Sequence, residues 1–168
     1  GGTQQHSPDE LNQILEQRAA SVETGIGTAS GSAKFDCLTG DLDTVFNLFA
    51  EVIKTPAFAE EKYALAKQQI KGSIARRNDD PSEIADREFK KVLYGEKSPY
   101  ARTVEYETLN NISREDVIEF YQSYIRPEEM LLGIVGDFDA TEMRDRVEKA
   151  FGAWQVSTLK PNYDVPSA

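Results

Sequence analysis

Histidine is nearly missing from this chain: His6 is the sole one in 168 residues. Imidazole is the usual metal ligand and the usual general base near neutral pH, so chemistry built on several histidines within this segment is excluded. Cysteine is equally scarce. Cys37 stands alone, which rules out an internal disulfide and disfavours a disulfide-stapled secreted domain. No apolar run approaches the roughly 20 residues that a membrane-crossing helix needs. Positive charge is short as well, with 19 basic against 29 acidic residues and a net charge of −10. That balance argues against a general nucleic-acid binder. Cytoplasm, bacterial periplasm and organelle all remain open as compartments.

What is present reads as one globular α+β domain. The chain is 39% apolar and 29% charged, a composition able to fold and stay in solution. "SPDELNQILEQRAA" carries a helix start: Ser7 can accept the amide of Glu10, Pro8 suits the first helical position, and Glu10 can reach back. Alternation over residues 21–28 and 32–39 predicts two strands, with Gly31 as the turn of a hairpin and Ala33, Phe35 and Cys37 on one face. Leu42, Val45, Phe46, Phe49, Val52 and Ile53 predict a helix capped by Asp41 and stopped by Pro56. Helices are expected next over residues 62–78 and 81–94, the second carrying Ile84, Phe89, Val92 and Leu93. A long turn-rich connection, "GEKSPYARTVEYETLNN", follows. A helix capped by Ser113 and Asp116 comes after it. "MLLGIVGDF" then reads as a buried strand, with Asp137 in the turn behind it, and Asp139 caps a last helix. Residues 1–154 form the expected domain. Residues 155–168, with two prolines, read as a linker toward a second, homologous domain. Three strands are few for a helix-covered sheet, and "GGTQQ" resembles neither a translation start nor a signal peptide. The expectation is therefore a domain truncated at its N-terminus, with strands upstream of Gly1.

One stretch breaks the acidic character. Residues 62–78 contain no Asp or Glu but five bases, Lys62, Lys67, Lys71, Arg76 and Arg77. Over residues 62–91 the net charge is +3, against −13 for the rest. A solvated helix face is the ordinary explanation of such a run, and a docking or peptide-contact surface formed by Lys67, Lys71, Arg76 and Arg77 is the sharper one. Gly72 inside this helix costs about 1 kcal/mol relative to Ala. It points to tight helix packing or to the close approach of a peptide or partner.

Four segments, in order and spacing, resemble the pitrilysin and insulinase family of zinc peptidases, which includes the mitochondrial processing peptidases. They are "GGT", "FAEVIKTPAFAEEKY", "NDDPSEIADREFKKVLYGEKSPYARTVEYETLNNISREDVIEFYQSYIRP" and "LLGIVGDFD". The third and fourth are the specific ones. The resemblance implies an α+β unit of the processing-peptidase type, with helices on one face of a mostly antiparallel sheet. Such units pair and close around a peptide-sized chamber, with zinc in one of them. The family's zinc is held by an H-x-x-E-H helix and a Glu on a later helix. By that resemblance the second His would fall just before Gly1, and the later Glu would fall on Ser73, its neighbour on Gly72 and an earlier acid on Ala66. All three carboxylates are gone. A hydroxyl is a poor zinc ligand beside a carboxylate, and a neighbouring ammonium such as that of Lys71 opposes a dication.

The chain therefore resembles the non-catalytic version of the unit. The implied partners are a homologous catalytic domain or subunit, a peptide substrate and, for the fragment, a second copy. Zinc is implied in the partner domain and no cofactor in this chain. The residues before Gly1 are expected to lack an intact H-x-x-E-H. Two other readings stay open. One is a structural or assembly module without peptide contact; the other is part of an active peptidase whose H-x-x-E-H lies upstream. His6 is expected to be a solvated loop residue and Cys37 a core residue, with no catalytic residue in the chain.

Overall fold

Two phenylalanines on one helix organise the first hydrophobic cluster. In the computed structural model, which describes residues 1–155 and 158, Val45 and Phe46 are wholly buried. They lie on α2 (Leu42–Lys54), whose apolar residues recur at helical spacing. Contacts divide the chain into two units. The first comprises Gly1–Ala59 and the described residues from Ile118 onward; the second is Glu60–Val117.

In the first unit α1 (Pro8–Glu16) is followed by an antiparallel hairpin of β1 (Ser21–Ile26) and β2 (Gly31–Asp36). Ser7 and Glu10 form the expected capping box on α1. The register pairs Ser21 with Asp36 and Ile26 with Gly31. The turn thus falls at residues 27–30, closed by the Gly27 amide donating to the Ser30 carbonyl at 2.8 Å. Gly31 belongs to the strand, which corrects its assignment as the turn. α2 packs on one face of the hairpin. Phe35 meets Phe46 edge-on at 5.9 Å and Phe49 at 4.9 Å between ring centres. α7 (Ala140–Phe151) closes the cluster, with Phe151 edge-on to Phe46 at 6.2 Å and Met143 buried. Asp139 caps α7 through the amides of Thr141 and Glu142, as its position predicts. Asp41 makes no cap bond to α2; its carboxylate pairs instead with Arg18 at 3.3 Å. The Tyr121 hydroxyl donates to the carbonyls of Ile53 and Lys54 at the end of α2, and burial pushes its pKa up to about 12.

The second unit is helical: α3 (Glu60–Arg76), α4 (Pro81–Tyr94), α5 (Tyr106–Asn111) and the first turn of α6 (Arg114–Tyr124). α5 lies inside the segment expected to be a plain connection. Its signal is local: Glu105 and Thr108 form a reciprocal cap, and Leu109 is buried. Ser113 and Asp116 bond to each other ahead of α6, as expected. α4 ends at Gly95, whose φ of 81° favours glycine. Its predicted apolar stripe does not form a core, since Phe89, Val92 and Leu93 are all exposed.

The α+β class stands, with helix α2 against an antiparallel sheet. The third strand does not. Residues 131–136 make no strand pairing among the described residues, and Leu131 and Val135 are fully exposed. An apolar extended segment becomes a strand only when a neighbour satisfies its backbone, and none of the described residues does. The linker expected over 155–168 lies, apart from Gln155 and Thr158, outside the described residues. No described helix is long and apolar enough to cross a membrane.

Candidate functional site

The opening "GGT" segment is held in place by a polar cluster in the first unit. Thr3 is buried and bridges to Pro56. Its hydroxyl donates to a Glu51 carboxylate oxygen and accepts the His6 amide at 2.9 Å. The His6 ring completes the group, with Nδ1 2.9 Å from Glu51 Oε1. This corrects the reading of His6 as a solvated loop residue: its side chain is partly covered and bonded to a carboxylate. The spacing from residue 6 to residue 51 gives no local pattern, so the pairing was invisible in sequence. Gly2 is demanded by the same turn, because a Cβ there would lie 2.9 Å from the His6 carbonyl oxygen.

α3 carries the positions where the resemblance places the zinc carboxylate. Ser73 is exposed on it, and Ile74 is its one buried residue. Two of the four candidate contact residues are engaged within the second unit. Lys67 Nζ donates to the Ile112 carbonyl at 2.8 Å and lies 3.1 Å from the Tyr63 hydroxyl. Arg77 makes a two-pronged pair with Glu105, at 2.8 and 2.9 Å. Lys71 and Arg76 are exposed. The basic run is thus partly a set of internal fasteners: Lys67 satisfies carbonyls at the end of α5, and Arg77 holds the residue before it.

Arg77 also holds the Glu105 carboxyl below its ordinary value of 4.5, mainly through their hydrogen bonds. A carboxyl depressed in the folded state stabilises above the pKa of the unfolded group and loses that contribution as pH falls through the folded value. The second unit is therefore expected to lose the contribution of this pair on acidification below about pH 4.5. In Arg77→Gln the Glu105 carboxyl should titrate higher, toward the ordinary range, which carboxyl-carbon NMR reads directly. An unchanged titration would show that the pair does not persist in solution.

Gly72 has room around it. A Cβ would meet only the Arg76 guanidinium nitrogens, at 3.9 Å. Among the described residues, tight helix packing is therefore not what places a glycine there. Gly72→Ala is expected to raise the stability of α3 by up to about 1 kcal/mol, measured by urea unfolding; a loss would reveal a contact formed by this backbone.

The described residues offer no donor set that fits zinc. Catalytic zinc takes three protein ligands from His, Cys, Asp or Glu. No group of three such residues able to hold a metal occurs among the described residues. α3 offers Ala66, Gly72 and Ser73 where the carboxylates would be needed. His6 is committed to Glu51, and Cys37 follows β2 half-buried, its thiol pKa raised by burial and by Asp41 and Asp36.

Residues 111–168 match the family model described as the Peptidase M16 inactive domain. An uncharacterized zinc protease of Mycobacterium leprae is 28% identical over 118 residues, 69% of this chain and 26% of that protein. The fold is that of a crystallised peptidase M16 inactive domain from Pseudomonas fluorescens, with a TM-score of 0.86 at 20% identity over 99% of this chain and 41% of that one. It is also that of the first half of the periplasmic protease PqqL from Escherichia coli, with a TM-score of 0.76 at 16% identity over 100% and 38%. The resemblance to a non-catalytic domain of the pitrilysin-type, M16, zinc peptidases stands on these likenesses. The chain spans about a quarter of the curated relatives' length and two fifths of the solved chains.

Proposed function

We propose that this chain is a non-catalytic unit of an M16-type zinc peptidase. It helps to form a peptide-binding chamber and pairs with a homologous unit that holds the metal. The observation that carries this reading is the loss of every carboxylate from residues 62–78, where the family's third zinc ligand belongs. The match of residues 111–168 to an inactive domain supports it. In this reading the exposed Lys71 and Arg76, with Lys67 and Arg77 beside them, form the peptide or partner contact. Their charge suits acidic peptide segments or an acidic partner face.

Zinc and peptide binding test the reading together. The dialysed 168-residue chain is expected to retain far less than one zinc per chain, while the parent assembly carries zinc in its other unit and binds peptide. Lys71→Glu combined with Arg76→Glu should weaken peptide or partner binding without altering zinc content. One tightly held zinc per 168-residue chain, lost on His6→Ala, would refute the non-catalytic reading. Parent protein with full zinc but no peptide binding would instead make this unit an assembly module.

A further inference from the structure

The first unit holds an open groove of about 210 Å³ beside β2, lined by Phe35, Cys37 and Phe49 and, opposite them, by Leu132 and Ile134. The second unit carries a surface of a different kind on α4, whose apolar face points outward. The half-covered residues of this helix are Ile84, Arg87 and Lys91. Arg87 donates to the Arg77 carbonyl at 3.3 Å and to Asn78 Oδ1 at 2.9 Å. The opposite side is open: Ala85 is exposed, Phe89 is 61% exposed, Val92 86% and Leu93 55%. At helical spacing these four share a face about 100° wide, the width of a stripe that meets another element. The charges around it balance. Residues 81–97 hold four acids and four bases, in a chain of net charge −10. Two copies of the chain therefore repel each other in general but not at this surface. The order of the charges is polar too, since Glu83, Asp86 and Glu88 precede Lys90 and Lys91 along the helix.

We infer that the α4 stripe docks on the same stripe of a second copy of this chain, antiparallel, about a two-fold axis at Phe89. That register sets the two Phe89 rings against each other, Ala85 opposite Val92 of the second copy, and Asp86 within reach of Lys90 of the second copy. The acidic half of each helix then lies beside the basic half of the other, and the helix dipoles oppose, which favours the pair. Within one chain Lys90 already donates to Asp86 at 2.6 Å, so the docked helices hold four alternating charges side by side. A strongly acidic or basic partner finds no excess charge here to answer, and an anionic membrane finds none to attract it. Three large side chains are few for a permanent interface, so the pair belongs with the transient class that buries less than about 1,200 Å² in total, with a dissociation constant on the order of 100 μM. At the lower concentrations of unfolding measurements the chain is monomeric, and an α4 variant then reports the stability of one chain. The inference does not depend on the zinc or peptide reading of α3.

Sedimentation equilibrium of the 168-residue chain, from about 10 μM to about 1 mM, tests it. Expected is a shift from monomer to dimer and no further, because a two-fold contact uses up its own surface. Phe89→Asp should abolish the dimer while the circular dichroism stays that of the folded chain. Charge pairing gives a second reading that does not rest on one variant. Asp86→Lys alone and Lys90→Asp alone should each associate at least about 5-fold more weakly than the unaltered chain, since each sets like charges across the axis. An equimolar mixture of the two variants should regain the affinity of the unaltered chain, because only the mixed pair sets unlike charges across it. Mixing restores contacts between chains and leaves each helix as it was, so a merely structural effect on α4 would not recover. Monomer at every concentration, a dimer that survives Phe89→Asp, or a mixture no tighter than its components would overturn the inference. Species that keep growing beyond the dimer would overturn it as well, replacing the two-fold contact by a head-to-tail one.

Discussion

Phe46→Ala is expected to cost about 3–5 kcal/mol of stability, the range for removing a buried aromatic ring. Phe46 has no solvent exposure. Its ring is touched from three elements: Phe35 on β2 at 5.9 Å, Phe49 on α2 at 6.2 Å and Phe151 on α7 at 6.2 Å between centres. No single neighbour can collapse into the space, because each is held by its own backbone element. The loss includes both the transfer of the ring and the cavity it leaves. Guanidinium unfolding followed by tryptophan fluorescence would measure it, since Trp154 lies 6.2 Å from Phe151. Phe89→Ala, with 61% of the residue exposed, is the control and should change stability by no more than about 0.5 kcal/mol. Equal losses at the two positions would mean that the cluster around Phe46 is not the core of the first unit.

Glu51→Ala should cost about 2–3 kcal/mol, because it strips a buried hydroxyl and a partly covered imidazole of their acceptor together. Thr3 is 6% exposed and its hydroxyl donates to Glu51. The His6 ring makes contacts of 2.9 and 3.1 Å to the two carboxylate oxygens. Glu51→Gln keeps one acceptor and should lose less than half as much. A double-mutant cycle isolates the pair: Thr3→Val and Glu51→Ala together should cost less than the sum of the two single losses. Strict additivity would remove the proposed bond. The effect should appear at the "GGT" segment first, as early amide exchange of residues 3–6, whose turn is closed by the Thr3 amide donating to the His6 carbonyl.

Local signals in the sequence carried the helices well and the sheet poorly. Helix starts are written in adjacent residues, so Ser7 with Glu10, Ser113 with Asp116, and Asp139 announced their caps correctly. Asp41 had the same local credentials but is taken by Arg18, a tertiary competitor that sequence spacing does not reveal. The apolar run at 131–136 has strand composition, yet pairing is a property of two segments, and the described residues supply one. The stripe on α4 has helical period and no cover among the described residues. Period reports which residues share a face; it does not report what that face meets. The candidate site divides in the same way. The missing carboxylates of residues 62–78 are a fact of composition and were fully legible. The internal duties of Lys67 and Arg77, which bond to the ends of α5, depend on contacts 28 to 45 residues away. The His6–Glu51 pairing spans 45 residues and left no trace in the pattern.

The solitary thiol turns the groove beside β2 into a chemical reporter. Cys37 lines that groove, and the chain has no other cysteine, so an alkylating reagent marks this wall and nothing else. Burial and the nearby Asp41 and Asp36 hold the thiol above its ordinary pKa, which lowers its thiolate fraction and slows its alkylation. Any segment seated in the groove would slow it further by covering the sulfur. The alkylation rate of a protein with no engineered residue therefore reports the fraction of molecules whose groove stands open.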